Sequence, residues 1–314
     1  MEYKNRLITT VKAFWDGDGR SIDDAEGRIE AITRATRDLM ARTLKRIAPE
    51  AESFNHAVIG ALLPKIDEWF SIQRDSITQE TFDDWHREAC KEILSVLRTF
   101  YINQDGTPVA YGKAQKIINM TMKGLYCLDG AQKMDMHFQY CHMALDSFIL
   151  EWFCRKVMPW YNNGKKTKER LKKTAMVSWS VIPEGTGEAP YGYNTYVQHI
   201  RDYFVAEHPY DGLNPLQAEF FIWSEIQLEL AAESLYGQDI GKFQAIEKAR
   251  STWKTQWIAE NVDSKDINGQ FDWCKRMFKK QSLEYKMNSL QSRVKELCDS
   301  IKQPDSSPLG CLEI

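Results

Sequence analysis

Apolar residues recur at steps of three and four along most of the chain, the period of helices that bury one face. Residues 21–45 carry Ile29, Ile32, Leu39 and Leu44 at roughly that spacing, and Pro49 closes the segment. A second segment, residues 57–70, is expected to break near Pro64, since proline inside a helix removes a hydrogen bond and crowds the carbonyl four residues back. Thr78-Gln-Glu-Thr81 reads as the start of a third, with an apolar face through Phe82, Trp85, Ala89, Ile93, Leu94 and Leu97. Residues 101–111 read as a loop. From residue 112 to about 127 only Gly124 disfavours a helix; Lys116, Met120, Lys123 and Cys127 share one stripe, and Ile117, Ile118 and Leu125 take the adjoining face. Later helices are predicted after Asp146, over 196–204, from Asn214-Pro215 to about 236, over 238–262 and over 273–302. Alternating β-branched runs with tight turns are missing, so the fold class is all-α.

The pattern also sets the expected organisation. Residues 1–262 form a helical body. Residues 263–302 hold a polar link and a long charged helix with a narrow seam of Met277, Leu283, Met287, Leu290, Val294 and Leu297. Such a seam pairs with the body or with another chain, which makes this helix a site for a protein partner. Residues 303–314, with Pro304, Ser306, Ser307 and Pro308, read as a disordered tail.

Composition narrows the class. With 43% hydrophobic and 27% charged residues, 314 residues can bury a sizeable core. No apolar run is long enough to span a membrane, and the N-terminus lacks the apolar stretch of a secretory signal. Seven cysteines show no CxxC pair or Cys/His ligand spacing, which fits free thiols in the cytoplasm; no metal and no cofactor is expected. A net charge of −3 does not mark a nucleic-acid binder. Charge is local, however: Lys156, Lys165, Lys166, Lys168, Arg170, Lys172 and Lys173 cluster with Glu169 as the one acid among them. That cluster is either a solvated loop or a phosphate-binding patch.

The chemistry concentrates between residues 111 and 152. A lysine beside an apolar face is partly desolvated, which weakens the hold of an amine on its proton. Asp146, thirty residues after Lys116, precedes an apolar run and completes a nucleophile–carboxylate pair. The same residues have plainer readings. Lys116 and Lys123 can lie along the helix with solvated amines. Asp146 can cap the next helix, although Ile149 stands where a capping box needs Glu or Gln. His142 either tunes the acid and touches a substrate or caps a turn. The Gly/Pro-rich stretch 184–193 has aromatics that either face a substrate or dock on the core, with docking the simpler reading.

Gln115-Lys116, Lys123 seven residues on, and Leu145-Asp146 resemble the core of the helix-hairpin-helix DNA glycosylases, nearest the archaeal-type 8-oxoguanine glycosylase branch. In that branch a Gln-Lys pair opens a helix, and a Val-Asp dipeptide after a proline-bearing loop carries the acid. The resemblance spans about forty of the 314 residues. Here Ala144 stands where the family has proline, the hairpin over 106–112 keeps one of two closely spaced glycines, and the link between the helices is slightly shorter.

The resemblance implies a helix-hairpin-helix glycosylase body with an additional long C-terminal helix. It implies release of a damaged or modified base from double-stranded DNA, with an AP lyase step. Lys116 would be the nucleophile and Asp146 the carboxylate. Gln115, Lys123, His142 and Trp179 would contact substrate, and Gly112, Lys113, Lys165, Lys166, Lys172 and Lys173 would meet DNA phosphates. Two other readings stand beside it: a catalytically inactive glycosylase fold used for binding, and a helical scaffold whose short likeness is coincidental.

Overall fold

A computed structural model of the chain describes residues 2–39, 44–187 and 189–236. The predicted helices over 238–262 and 273–302, the tail, the boundary at residue 262 and the partner-binding seam lie outside the described residues. The chain divides into two compact units, one of Met1–Leu7 with Trp15–Phe220 and one that takes Ile8–Phe14 and continues from Phe221. Of the second unit the described parts are helical, in α1 (Glu2–Phe14) and the later half of the last described helix.

The first unit is mainly α, as the periodicity predicts. Its helices are α2 (Ala25–Asp38), α3 (Phe54–Ser71), α4 (Gln79–Phe100), α5 (Tyr111–Tyr126), the one-turn α6 (Asp135–Phe138), α7 (Ser147–Trp152), α8 (Met158–Asn162) and α9 (Tyr193–Glu207). A short left-handed turn, α10 (Pro209–Gly212), leads into α11 (Pro215–Tyr236), which begins in this unit. A π turn, Phe153–Val157, joins α7 to α8. Among the described residues no helix is long and apolar enough to cross a membrane.

Helix α4 starts where the sequence places it. The Thr78 hydroxyl accepts from Thr81 N, and the Thr81 hydroxyl accepts from Thr78 N, satisfying two amides that the helix itself cannot. Two expectations need correction. α3 runs unbroken through Pro64, because Val58, Leu62, Ile66 and Trp69 are buried along one face against α2 and α4, and that packing outweighs the lost hydrogen bond. The predicted loop after α4 begins as a strand: β1 (Leu44–Arg46) pairs antiparallel with β2 (Tyr101–Asn103), Leu44 opposite Asn103.

α5 is the central element. Every residue in it is buried except Lys116 and Met120, which keep partial exposure. α2 and α4 pack on two of its sides. The crossing with α2 is close at Gly124, where an added Cβ would lie 3.2 Å from the Ala31 Cβ. The polar stripe of α5 is therefore not a solvated face. Lys123 is buried, its Nζ 2.9 Å from Glu219 Oε1, and the two side chains are 3% and 2% exposed. Glu219, on α11, is the buried partner. Burial pushes its carboxyl up from the usual range, opposed by Lys123 and the Ala144 amide.

Breaking a buried pair from one side leaves a charge without its partner. Lys123→Met is expected to lower unfolding stability by about 3–5 kcal/mol in urea titrations, and Lys123→Met with Glu219→Gln, which keeps an acceptor for the Ala144 amide, to recover most of that loss. A single variant that costs no more than a surface substitution, about 0.5 kcal/mol, would contradict the pairing.

Candidate active site

Residues 143–146 have no regular structure of their own and run through the interior, so their backbone groups need partners from side chains. α5 supplies three of them and α11 one. Gln115 Nε2 donates to Leu145 O (2.9 Å) and Gly112 O (2.8 Å), and Gln115 Oε1 accepts from Leu145 N (3.2 Å). Asn119 Nδ2 donates to Met143 O at 3.0 Å. Ala144 N donates to Glu219 Oε2 at 2.8 Å, the oxygen not held by Lys123.

This leaves Asp146 at the first turn of α7, with its two oxygens divided. Oδ1 accepts from Phe148 N (2.9 Å) and Ile149 N (3.0 Å), a helix cap. Oδ2 faces Lys116 Nζ at 3.9 Å, and the two side chains keep 12% and 14% exposure. Capping and pairing with the lysine are not alternatives; Asp146 does both.

Trp179 covers the pair. Lys116 Nζ lies 4.8 Å from its ring centroid and Lys113 Nζ 5.3 Å, at cation–π distance. The segment that carries Trp179 is docked on the start of α5, with Gly112 N donating to Ile182 O at 3.0 Å. Any side chain at Gly112 would collide with the Trp179 carbonyl oxygen, so the close approach requires glycine there. Trp179 and Ser147, the residue after Asp146, also line a cavity of about 260 Å³, together with Leu150, Glu151, Lys173 and Met176 among others.

Behind the site lies a buried polar chain. His86 Nε2 contacts Asn119 Oδ1 at 2.9 Å, and Asn119 Nδ2 reaches the Tyr193 hydroxyl at 2.8 Å. Tyr193 in turn contacts His142 Nδ1 at 2.8 Å, and His142 Nε2 contacts Asp83 Oδ1 at 2.9 Å. His142 Nε2 stands between an acceptor, Asp83 Oδ1, and a donor, Arg201 Nη2, each 2.9 Å away, while Nδ1 faces the Tyr193 hydroxyl. Arg201 holds Asp83 with two bonds of 2.7 Å. Burial would raise the Asp83 carboxyl, but the bonds from His142 and Arg201 override it and hold it well below the usual range. Burial also pushes His142 down to about 4 and His86 well below the ordinary histidine range.

The structure brings Lys116, Asp146, Trp179 and Lys113 together and separates the others from them. Gln115, Lys123 and His142 are buried with their polar atoms bonded to protein, so none is a substrate contact; they hold the loop and α9 in place. Gly112 spends its amide on Ile182, and Lys113 is 1% exposed with its amine lowered by burial, so neither meets a phosphate. Lys166, Lys172 and Lys173 are exposed, and Lys165 lies 3.7 Å from the Tyr161 ring centroid. Tyr191, Tyr193 and Tyr196 are buried, so these aromatics of the 184–193 region and α9 dock on the core. Sequence reasoning missed Glu151, although Ser147, Leu150, Glu151 and Cys154 fall at i, i+3, i+4 and i+7, one stripe along the helical run. A scan against family models, a search of curated proteins and a search of solved structures each found no match.

The histidines fix a pH dependence. Their folded values lie below the unfolded value of 6.5, so the unfolded chain binds protons first as the pH drops. The contribution is complete above about 6.5 and is lost as the pH falls towards about 4, on the order of 2–3 kcal/mol from His142. Asp83 acts only below this window, since its carboxyl is depressed. Urea midpoints are expected to fall between pH 7 and about 4.5, and less in His142→Gln. A flat wild-type profile would show that these histidines are not held neutral.

Proposed function

We propose that the chain is a DNA glycosylase of the helix-hairpin-helix type, with AP lyase chemistry, acting on a damaged or modified base in duplex DNA. The observation that carries this reading is the approach of Lys116 Nζ to Asp146 Oδ2, 3.9 Å, under Trp179 and next to a cavity. A structural ion pair would not need an opening beside it or a ring across it.

In this mechanism the target nucleotide leaves the stack, which costs a few kcal/mol and least for a damaged base. The Lys116 nitrogen forms a bond to the anomeric carbon of the sugar through its lone pair as the glycosidic bond breaks. The bonding pair leaves with the base, which takes one of the two amine protons, relayed by Asp146. The Asp146 carboxylate also stabilises the positive charge that develops on the sugar. The sugar ring then opens: its oxygen keeps the bonding pair, takes the second amine proton, and an imine remains on Lys116. Asp146 then takes a proton from the adjacent carbon, the C–H pair forms a carbon–carbon double bond, and the 3′ phosphate leaves with the pair of its broken C–O bond, which nicks the strand. Exposed Lys166 and Lys172 supply phosphate contacts in this account.

A second reading, an inactive glycosylase fold used for binding, is favoured by one observation: Gly112 and Lys113, two of the predicted phosphate contacts, are both engaged inside the protein. Borohydride reduction separates the two. Wild-type protein with abasic duplex DNA is expected to yield a covalent complex, which Lys116→Gln abolishes. Asp146→Asn keeps a helix cap and DNA binding but slows base release by about 10²-fold or more, since an amide stabilises a cationic sugar far less than a carboxylate. Equal trapping by wild type and Lys116→Gln would assign the protein to the binding class.

A further inference from the structure

The cavity beside Asp146 has a chemistry that the glycosylase reading leaves open. Its volume, about 260 Å³, falls just below the range of about 300–1,000 Å³ that drug-sized ligands occupy, and suits one heterocycle. One wall is the Trp179 ring, a stacking surface for any base. Leu150 and Met176 add apolar and polarisable surface.

The polar groups are few and paired. Glu151 Oε1 is held by Arg155 Nε at 2.8 Å, which fixes the orientation of the carboxylate. Glu151 Oε2 lies 4.0 Å from Lys173 Nζ, too long for a hydrogen bond. A negative acceptor and a positive donor therefore stand side by side, both lining the cavity, one on α7 and the other on the segment leading to Trp179. Asp146 caps the helix that carries Glu151, so the carboxylate of the pair and the acceptor are fixed to one element.

We propose that this cavity receives the extruded base and that Glu151 and Lys173 read a lactam edge, a ring N–H next to a carbonyl. The inference rests on the glycosylase reading and names its substrate class. Glu151 accepts from the ring N–H and Lys173 donates to the neighbouring carbonyl. Hypoxanthine, uracil and guanine-type bases, including 8-oxoguanine, present that edge. Adenine- and cytosine-type bases place an amine beside an unprotonated ring nitrogen and offer the opposite order. O-alkylation of a guanine-type base removes the N–H and blocks the carbonyl. Such a base leaves the carboxylate facing an acceptor, and a site built for a hydrogen bond rejects an analogue that lacks it.

The test uses duplexes of one sequence that carry hypoxanthine, uracil, 8-oxoguanine, O6-methylguanine, ethenoadenine or an abasic site. Single-turnover base release is measured for the first five and borohydride trapping for the last. Wild type is expected to release at least one base of the lactam set and to leave O6-methylguanine and ethenoadenine in place. Glu151→Leu and Lys173→Met are each expected to slow that release by about 30-fold or more, while trapping on abasic DNA stays within about twofold of wild type. Glu151 is partly exposed and Lys173 is exposed, so both variants keep the fold, and unchanged abasic trapping verifies that. Release of blocked and lactam bases at equal rates, or unaltered release in both variants, would overturn the edge reading while abasic trapping upholds the lysine chemistry. Absence of base release from every duplex, with abasic trapping intact, would likewise overturn it. Absence of trapping by wild type would overturn both.

Discussion

Satisfying the buried backbone of residues 143–145 is the constraint on which the site depends. Met143 O, Ala144 N and both backbone groups of Leu145 are covered by Gln115 and Asn119 on α5 and by Glu219 on α11. Without those side chains an irregular strand of backbone would cross the interior with its polar groups unpaired, at about 1–3 kcal/mol for each. With them, the position of Asp146 relative to α5 is set within hydrogen-bond tolerance, and Lys116, one residue from Gln115, faces it. The departure at Ala144 from the proline of the glycosylase pattern has a physical counterpart. Proline has no N–H, whereas Ala144 has one, and Glu219 accepts it. Glu219 is charge-compensated in turn by Lys123, so one residue's backbone chemistry accounts for a buried ion pair.

α5 joins these demands. A helix buried on all sides is expected to be apolar, yet α5 carries three lysines, a glutamine and an asparagine. Each of the buried polar residues among them has a defined task. Gln115 and Asn119 hold the loop, Lys123 neutralises Glu219, and Lys113 packs at Trp179. Lys116 alone among the five keeps partial exposure, and it faces Asp146 and the Trp179 ring. The arrangement spends stability on orientation, since hydrophobic replacements of buried ion pairs are often neutral or stabilising.

The sequence made the helices legible where local rules act alone. Thr78 and Thr81 cap α4 as their spacing predicts, and the apolar stripe from Phe82 to Leu97 is the buried face. Pro64 misled because packing on both sides of α3, which no local rule reports, outweighs the proline. Depth was equally illegible: the stripe of Lys116 and Lys123 is the same pattern for a solvated face and for a polar helix at the centre. What distinguishes them is Glu219, 96 positions after Lys123, and no spacing rule links the two. Asp146 was legible as a cap, and Oδ1 does cap α7 while Oδ2 faces Lys116. His142 sat four residues before the acid and invited a role there, but its partners, Asp83 and Tyr193, lie 59 and 51 positions away.

The account claims that one amine, on Lys116, is positioned for attack. The most direct test is to reduce the covalent complex formed with abasic DNA, digest the protein and locate the sugar-derived mass by tandem mass spectrometry. The account predicts the adduct on Lys116, within the α5 peptide. An adduct spread over Lys165, Lys166, Lys172 and Lys173, or centred on the N-terminal amine, would contradict it, because capture would then follow surface exposure and not the geometry around Asp146.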